Sequence, residues 1–185
     1  MSLWGQASAV IRQGVAGGVF PGASAEAGSA DGARWSESAG SLSYDPDSPS
    51  VTAGTVYDLA SLTKPVATAT LAMRLVDAGR LDLDSAVAAI EPGWIGADRA
   101  GVTVRDLLEH AAGLPAWAPL WKQGSGRDAV IAAACGMPLE YEPRSRSVYS
   151  DLGFIVLGAV LERAGRASLD EQFDEVAAEL GAGGT

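Results

Sequence analysis

Three features of the 185-residue sequence predict an α+β fold. A short helix-compatible run opens the chain, an Asp-Gly step between two extended stretches marks a hairpin, and the chain beyond residue 55 reads helical. The helix and hairpin fall in residues 1–50, and the mostly helical remainder occupies 51–185.

The first helix is expected over about residues 4–16, running out at Gly17 and Gly18. "PGASAEAGSADGARWSESAGSLS" then places small, β-tolerant residues on both sides of Asp31-Gly32, a hairpin signal. Residues 45–55, rich in Pro, Ser and Thr, read as a loop. Leu62, Val66, Ala69, Met73 and Val76 recur at spacings of four and three, one face of a helix that Gly79 stops. Thr103 with Asp106 is a capping box opening "VRDLLEHAAG", which ends at Gly113. "RDAVIAAAC" is closed by Gly136 and Pro138. "DLGFIVLGAVLERAG" carries Phe154, Leu157, Val160 and Leu161 on one face. Ser168 with Glu171 boxes the start of the last helix.

Composition excludes several function classes. A net charge of −10 leaves nothing to neutralise phosphates, so neither nucleic acid nor an anionic membrane surface is an expected partner. No apolar run approaches the roughly 18–20 residues of a membrane span. "MSLWGQASAVIRQGVAGGVF" has no basic start and no unbroken apolar core, so a cytoplasmic location is expected. The single Cys135 rules out an internal disulfide and reads as a small core residue. One His and one Cys do not make an ordinary zinc site, and "LDLD" at 81–84 lacks the other ligands of a calcium loop. No metal or cofactor is expected.

The chemistry concentrates in "SLTK", residues 61–64. Only two lysines occur, Lys64 and Lys122, and the first sits three residues after Ser61 with Pro65 behind it. Proline is tolerated only in a helix's first turn, so the helix must begin close to Ser61. Ser61 would then lie where unpaired N–H groups stabilise a developing anion, with Lys64 one turn up on the same face. A serine hydroxyl is a weak nucleophile until a neighbour takes its proton. Lysine can do so only if burial and the helix dipole bring its pKa well below its usual value of about 10.4. A capping serine beside a solvated lysine would give the same four letters.

A second group follows in "RSRSVYSDLGFIVLG", residues 144–158. Tyr149 and Asp151 precede a helix and can point off its N-terminal end. A phenol beside a lysine can share proton transfer, and a carboxylate can hold the ammonium in place.

Taken in order, these segments resemble the serine hydrolases of the β-lactamase/penicillin-binding-protein fold, most closely the class C β-lactamase and esterase branch. "GVFPGASAEAG" is similar to the family's opening segment, and "VYDLASLTKPVATATLAMRLVDAGRLDLDSAV" to its nucleophile helix. "VTVRDLLEHAAGLP" resembles "LLxHxSGLP", and "VYSDLGFIVLGAVLERAGRASLDE" the Tyr-x-Asn region. "ELGAGGT", residues 179–185, keeps the spacing of "PLGMxxT". The resemblance implies that Ser61 is acylated, that Lys64 activates it, that Tyr149 is the second proton-transfer residue and that Asp151 replaces the usual Asn. A different register, Ser150-Asp151-Leu152, matches the class A Ser-Asp-Asn motif except at Leu152. Asp151 would raise the Lys64 pKa and make it a poorer base at neutral pH. His110 reads as structural, at a helix C-terminus it can cap. Trp117 and Trp121, in "LPAWAPLWKQG", are candidates to line a substrate pocket.

The resemblance covers the family's N-terminal half to two-thirds. It implies an incomplete β-lactamase/transpeptidase-like domain whose C-terminal strands, with a Lys-Thr-Gly or His-x-Gly motif, are missing from the sequence. The implied function is acyl-enzyme hydrolysis of an ester, amide or β-lactam by a serine hydrolase, impaired in the isolated fragment. The substrate would be a small acyl compound, and the partner a complementing C-terminal fragment or a second copy joined through an open sheet edge. A non-catalytic fragment or acyl/peptide-binding module is the alternative.

Overall fold

Residues 2–182 are described by the computed structural model, which divides into two compact units, 1–58 and 59–185. In the first unit, Ser2 caps helix α1 (Leu3–Ala16) by accepting the Gly5 N–H at 3.2 Å. Strands β1 (Gly22–Ser29) and β2 (Gly32–Gly40) pair antiparallel from Gly22–Gly40 to Ser29–Gly32. The reversal is made by Ala30 and Asp31, one residue ahead of the Asp-Gly step, and Gly32 opens β2 at φ +126°. A bulge at Ala27/Gly28 shifts the register. Helix α1 lies on β2, with Trp4 stacked on Trp35 at 5.6 Å and Arg12 paired with Glu37 at 2.9 Å. Among the described residues the sheet has two strands.

The second unit is helical, as its sequence periodicity predicts. A 3₁₀ turn at Ala60–Leu62 and a π-helix at Lys64–Ala69 lead into α2 (Thr70–Asp77). Short helices α3 (Val87–Ile90) and α4 (Val104–Leu108) follow, then α5 (Arg127–Gly136), α6 (Asp151–Gly165) and α7 (Leu169–Glu179). Helix α6 is the centre: Leu152, Val156, Leu157, Val160 and Leu161 are fully buried, and α2, α4, α5 and α7 pack on it. Burying one such side chain contributes about 1.5–3 kcal/mol, so α6 is the rigid element from which the rest is positioned. Both sequence-predicted capping boxes form, Thr103 with Asp106 and Ser168 with Glu171. Cys135 is buried in the core, and burial pushes its thiol up to about 11, which keeps it protonated and inert.

Two expectations are corrected. The helix expected to run to Gly113 ends at Leu108, because His110 already takes the left-handed stop at φ +56°. The apolar stripe of residues 62, 66, 73 and 76 is not the packed face, since Leu62 and Met73 are 59% and 70% exposed. Thr68, Leu71, Ala72 and Leu75 are buried instead. The segment is apolar on two sides, and the wider π turn changes the phase between its two ends, so spacing alone does not identify the buried one. No helix among the described residues is long and apolar enough to cross a membrane.

Candidate active site

Ser61 stands at the start of the helical run that Pro65 forces to begin there. Leu62 N–H closes the 3₁₀ turn on Leu59 O at 2.9 Å, and Ala60 is held at φ +46°. A left-handed alanine costs about 1 kcal/mol or more, and such strain concentrates at functional positions. One residue beyond the turn the π-helix begins, with Thr70 Oγ1 donating to Pro65 O at 3.0 Å. This geometry sends Lys64 back towards Ser61, placing its Nζ 3.4 Å from Ser61 Oγ.

The second half of the site comes from residues 144–151, which are laced to 109–116. Arg144 N–H donates to Ala111 O, Val148 N–H to His110 O and Asp151 N–H to Ala116 O, at 2.8–2.9 Å. Ser150 Oγ donates to Pro115 O at 2.6 Å and accepts the Gly153 N–H at 3.1 Å, which makes it the N-cap of α6. Its hydroxyl is therefore engaged away from Ser61, and the class A register finds no support. Asp151 instead reaches Lys64, Oδ1 to Nζ at 2.7 Å, across 87 residues of sequence. The Lys64 ammonium lies 5.0 Å from the centre of the Tyr149 ring and 5.7 Å from that of Phe154.

The electrostatics depart from the simplest serine–lysine scheme. Burial alone would lower the Lys64 pKa, but its hydrogen bonds to Asp151 and Tyr149 outweigh burial and hold it above the ordinary lysine value. The expectation of a depressed lysine is thus reversed, in the sense that the Asp-for-Asn replacement implies. Tyr149 moves the other way: contacts with Ser61 and then Lys64 hold its phenol below the usual tyrosine value. A cation beside a half-exposed phenol favours the tyrosinate, the form able to accept a serine proton.

Two clefts meet at Ser61 and Lys64. One, of about 680 Å³, is walled by Thr68, Val130, Ile131, Asp151 and Phe154. The other, of about 510 Å³, is walled by Leu59, Leu62, His110, Tyr149 and Phe154. Trp117 and Trp121 are absent from both; they form an exposed pair with ring centres 5.4 Å apart. Phe154, which the sequence puts on one face of α6 with Leu157, Val160 and Leu161, packs against the core and also lines both clefts. Its spacing of three from Asp151, one helical turn on, is the signal that could have found it. Among the described residues no cluster of three or more His, Cys, Asp or Glu could hold a metal ion.

The model of the family described as Beta-lactamase matches residues 7–185. An N-acetylmuramyl-L-alanine amidase of Bacillus subtilis (strain 168) is 35% identical over 131 residues, 63% of this chain and 29% of that protein. The octameric penicillin-binding protein homologue from Pyrococcus abyssi superposes with a TM-score of 0.82 at 25% identity, over 97% of this chain and 43% of that one. EstCE1, a hydrolase with promiscuous acyltransferase activity, gives 0.78 at 26% identity, over 96% and 51%. The chain spans about a third of the length of the curated relatives and about half that of the solved structures. With a two-stranded sheet, a helical unit and this coverage, the fold is β-lactamase/transpeptidase-like and incomplete. A family match from residue 7 to the last residue, carried on the fold of known hydrolases, shows that this chain belongs to the Beta-lactamase family.

Proposed function

We propose that this chain carries the acylating half of a serine hydrolase site acting on a carbonyl substrate, an ester, amide or β-lactam. The observation that supports it most is the meeting of Ser61, Lys64, Tyr149 and Asp151 from two distant segments on one point. In this reading Tyr149, as tyrosinate, takes the Ser61 proton while Oγ bonds to the carbonyl carbon and the carbonyl π pair moves onto oxygen. The tetrahedral adduct collapses, the leaving alcohol or amine takes the proton from Tyr149, and the acyl group stays on Ser61. Water, deprotonated the same way, releases the acid. Lys64, kept as ammonium by Asp151, stabilises the tyrosinate and the developing negative charge.

Turnover is expected to be slow. The family resemblance implies that the Lys-Thr-Gly or His-x-Gly strand supplies an oxyanion N–H; neither motif occurs in this sequence, and one such donor is typically worth about 10²–10³ in rate. Acylation alone is the sensitive assay. A fluorophosphonate should label Ser61 covalently, located by peptide mass spectrometry, and Ser61→Ala should abolish the label, while nitrocefin and p-nitrophenyl acetate turn over poorly. The tight Lys64–Asp151 pair also suits a second reading, a non-catalytic acyl- or peptide-binding module. Absence of any label at Ser61 would decide for that one.

A further inference from the structure

We infer that His110 is a positioning residue of this site: its neutral imidazole accepts the Ser150 N–H at Nδ1 and backs the Tyr149 ring, fixing the Tyr149–Asp151 corner against Ser61 and Lys64. The inference rests on the hydrolase reading for its consequence but on the local geometry for its substance.

The backbone raises the question first. Helix α4 ends with His110 N–H donating to Leu107 O at 3.2 Å and Ala111 N–H to Asp106 O at 2.7 Å. These are the two bonds of a Schellman stop, in which the residue occupied by His110 is left-handed and usually glycine. Helix α2 ends on the same pattern, Gly79 to Val76 O and Arg80 to Leu75 O, with Gly79 at φ +66°. His110 occupies the equivalent position at φ +56°, where a side chain is a strain rather than a convenience. Something must favour the imidazole there.

Three contacts do. Ser150 N–H donates to His110 Nδ1 at 3.0 Å, so that nitrogen carries no proton and the ring is the Nε2–H tautomer. The ring lies 4.7 Å from the Tyr149 ring and 4.9 Å from Phe154, and it lines the same cleft as Ser61 and Lys64. Its backbone oxygen accepts from Val148 N–H at 2.9 Å and from the Tyr141 hydroxyl at 3.2 Å. Residues on both sides of Tyr149, and its ring as well, are thus held by one residue.

Protonation would undo this arrangement. An imidazolium has no acceptor at Nδ1, and it would add a second cation beside Lys64. Burial, then the Lys64 charge, hold the His110 pKa below the ordinary value, against a weaker pull from the Asp151 carboxylate. Tyr149 and Tyr141 are the other titratable groups against it. The neutral form therefore prevails at neutral pH, and acid releases the corner.

The chain has a single histidine, so the test is clean. Nitrogen-correlated NMR of the full chain should show the Nε2–H tautomer, titrating below ordinary histidine, with the Ser150 amide shifting at the same pH. Fluorophosphonate labelling of Ser61 should lose rate on the acid side with that same midpoint. His110→Gly keeps the left-handed stop but should slow labelling about tenfold and remove this acid limb, as expected for a lost positioning hydrogen bond. His110→Asn, which tolerates the conformation and keeps an acceptor near Nδ1, should restore the rate to within a few-fold. An Nδ1–H tautomer, titration at or above the ordinary value, or unchanged labelling in folded His110→Gly would overturn the inference. If the parent chain takes no label, the hydrolase reading falls, and tautomer and amide shift still decide the positioning role.

Discussion

Asp151 sets the charge state of the site. Its carboxylate accepts from Lys64 at 2.7 Å and helps hold that amine as ammonium; replacing it with the neutral Asn of the family pattern removes that pull. Burial of Lys64 would then act with less opposition, and the negative charge that disfavours tyrosinate at Tyr149 would be gone. Labelling of Ser61 should rise with pH as Tyr149 ionises, and Asp151→Asn should move that rise to lower pH. A pH–rate profile of both proteins checks it; an unshifted or upward-shifted limb refutes it. The stability consequence has a definite sign. A raised lysine pKa contributes stability that is full below the unfolded value near 10.4 and lost as pH rises through the folded value. Because Asp151 is substantially exposed, Asp151→Asn should cost only about 0.5–1 kcal/mol, measured by urea unfolding at neutral pH.

The elements divide into those that hold the site and those that aim it. Helix α6 holds it, and α7 is tied to α6 by Leu169 N–H donating to Glu162 Oε1 at 3.1 Å, its own start closed by the Ser168–Glu171 box. Ser168→Ala should lower unfolding free energy by about 1 kcal/mol without changing the Ser61 labelling rate. The π-helix aims the site. It separates Lys64 from the buried Thr68–Leu75 stripe by a wider turn than an α-helix allows. Deleting Ala67 should restore α geometry and rotate the Ser61–Lys64 end by about 100° relative to that stripe. Helical circular dichroism is expected to survive while labelling collapses; retained labelling would show that the π turn is incidental. The helices themselves were legible because caps and stops are local: Ser, Thr and Asp at the starts and Gly79 at an end act within a few residues. The π turn left no mark in the spacing, since the same apolar letters fit either helix type.

At the scale of the whole chain, Val66, Met73 and Val76 form with Leu62, which also edges the cleft, an exposed apolar face of the second unit. Apolar patches of this kind mark interaction sites or aggregation liabilities. We expect concentration-dependent self-association by sedimentation, reduced by Met73→Glu together with Leu62→Glu. A polypeptide carrying the rest of the fold, added in trans, should compete with self-association and raise turnover; no gain in either would remove the complementation proposal.

By itself the sequence determined the α+β class, the hairpin, the two capping boxes and the family, and it singled out the four residues at issue, because each rests on short-range rules or on ordered motifs. Only the tertiary structure decided which side of the nucleophile helix is buried, that Trp117 and Trp121 line neither cleft, and that Lys64 is held charged. Those outcomes depend on what packs against each side chain, and on whether Asp151 or burial wins at one amine. Such balances are set by distances of a few ångströms between residues far apart in the chain, which composition and spacing do not encode.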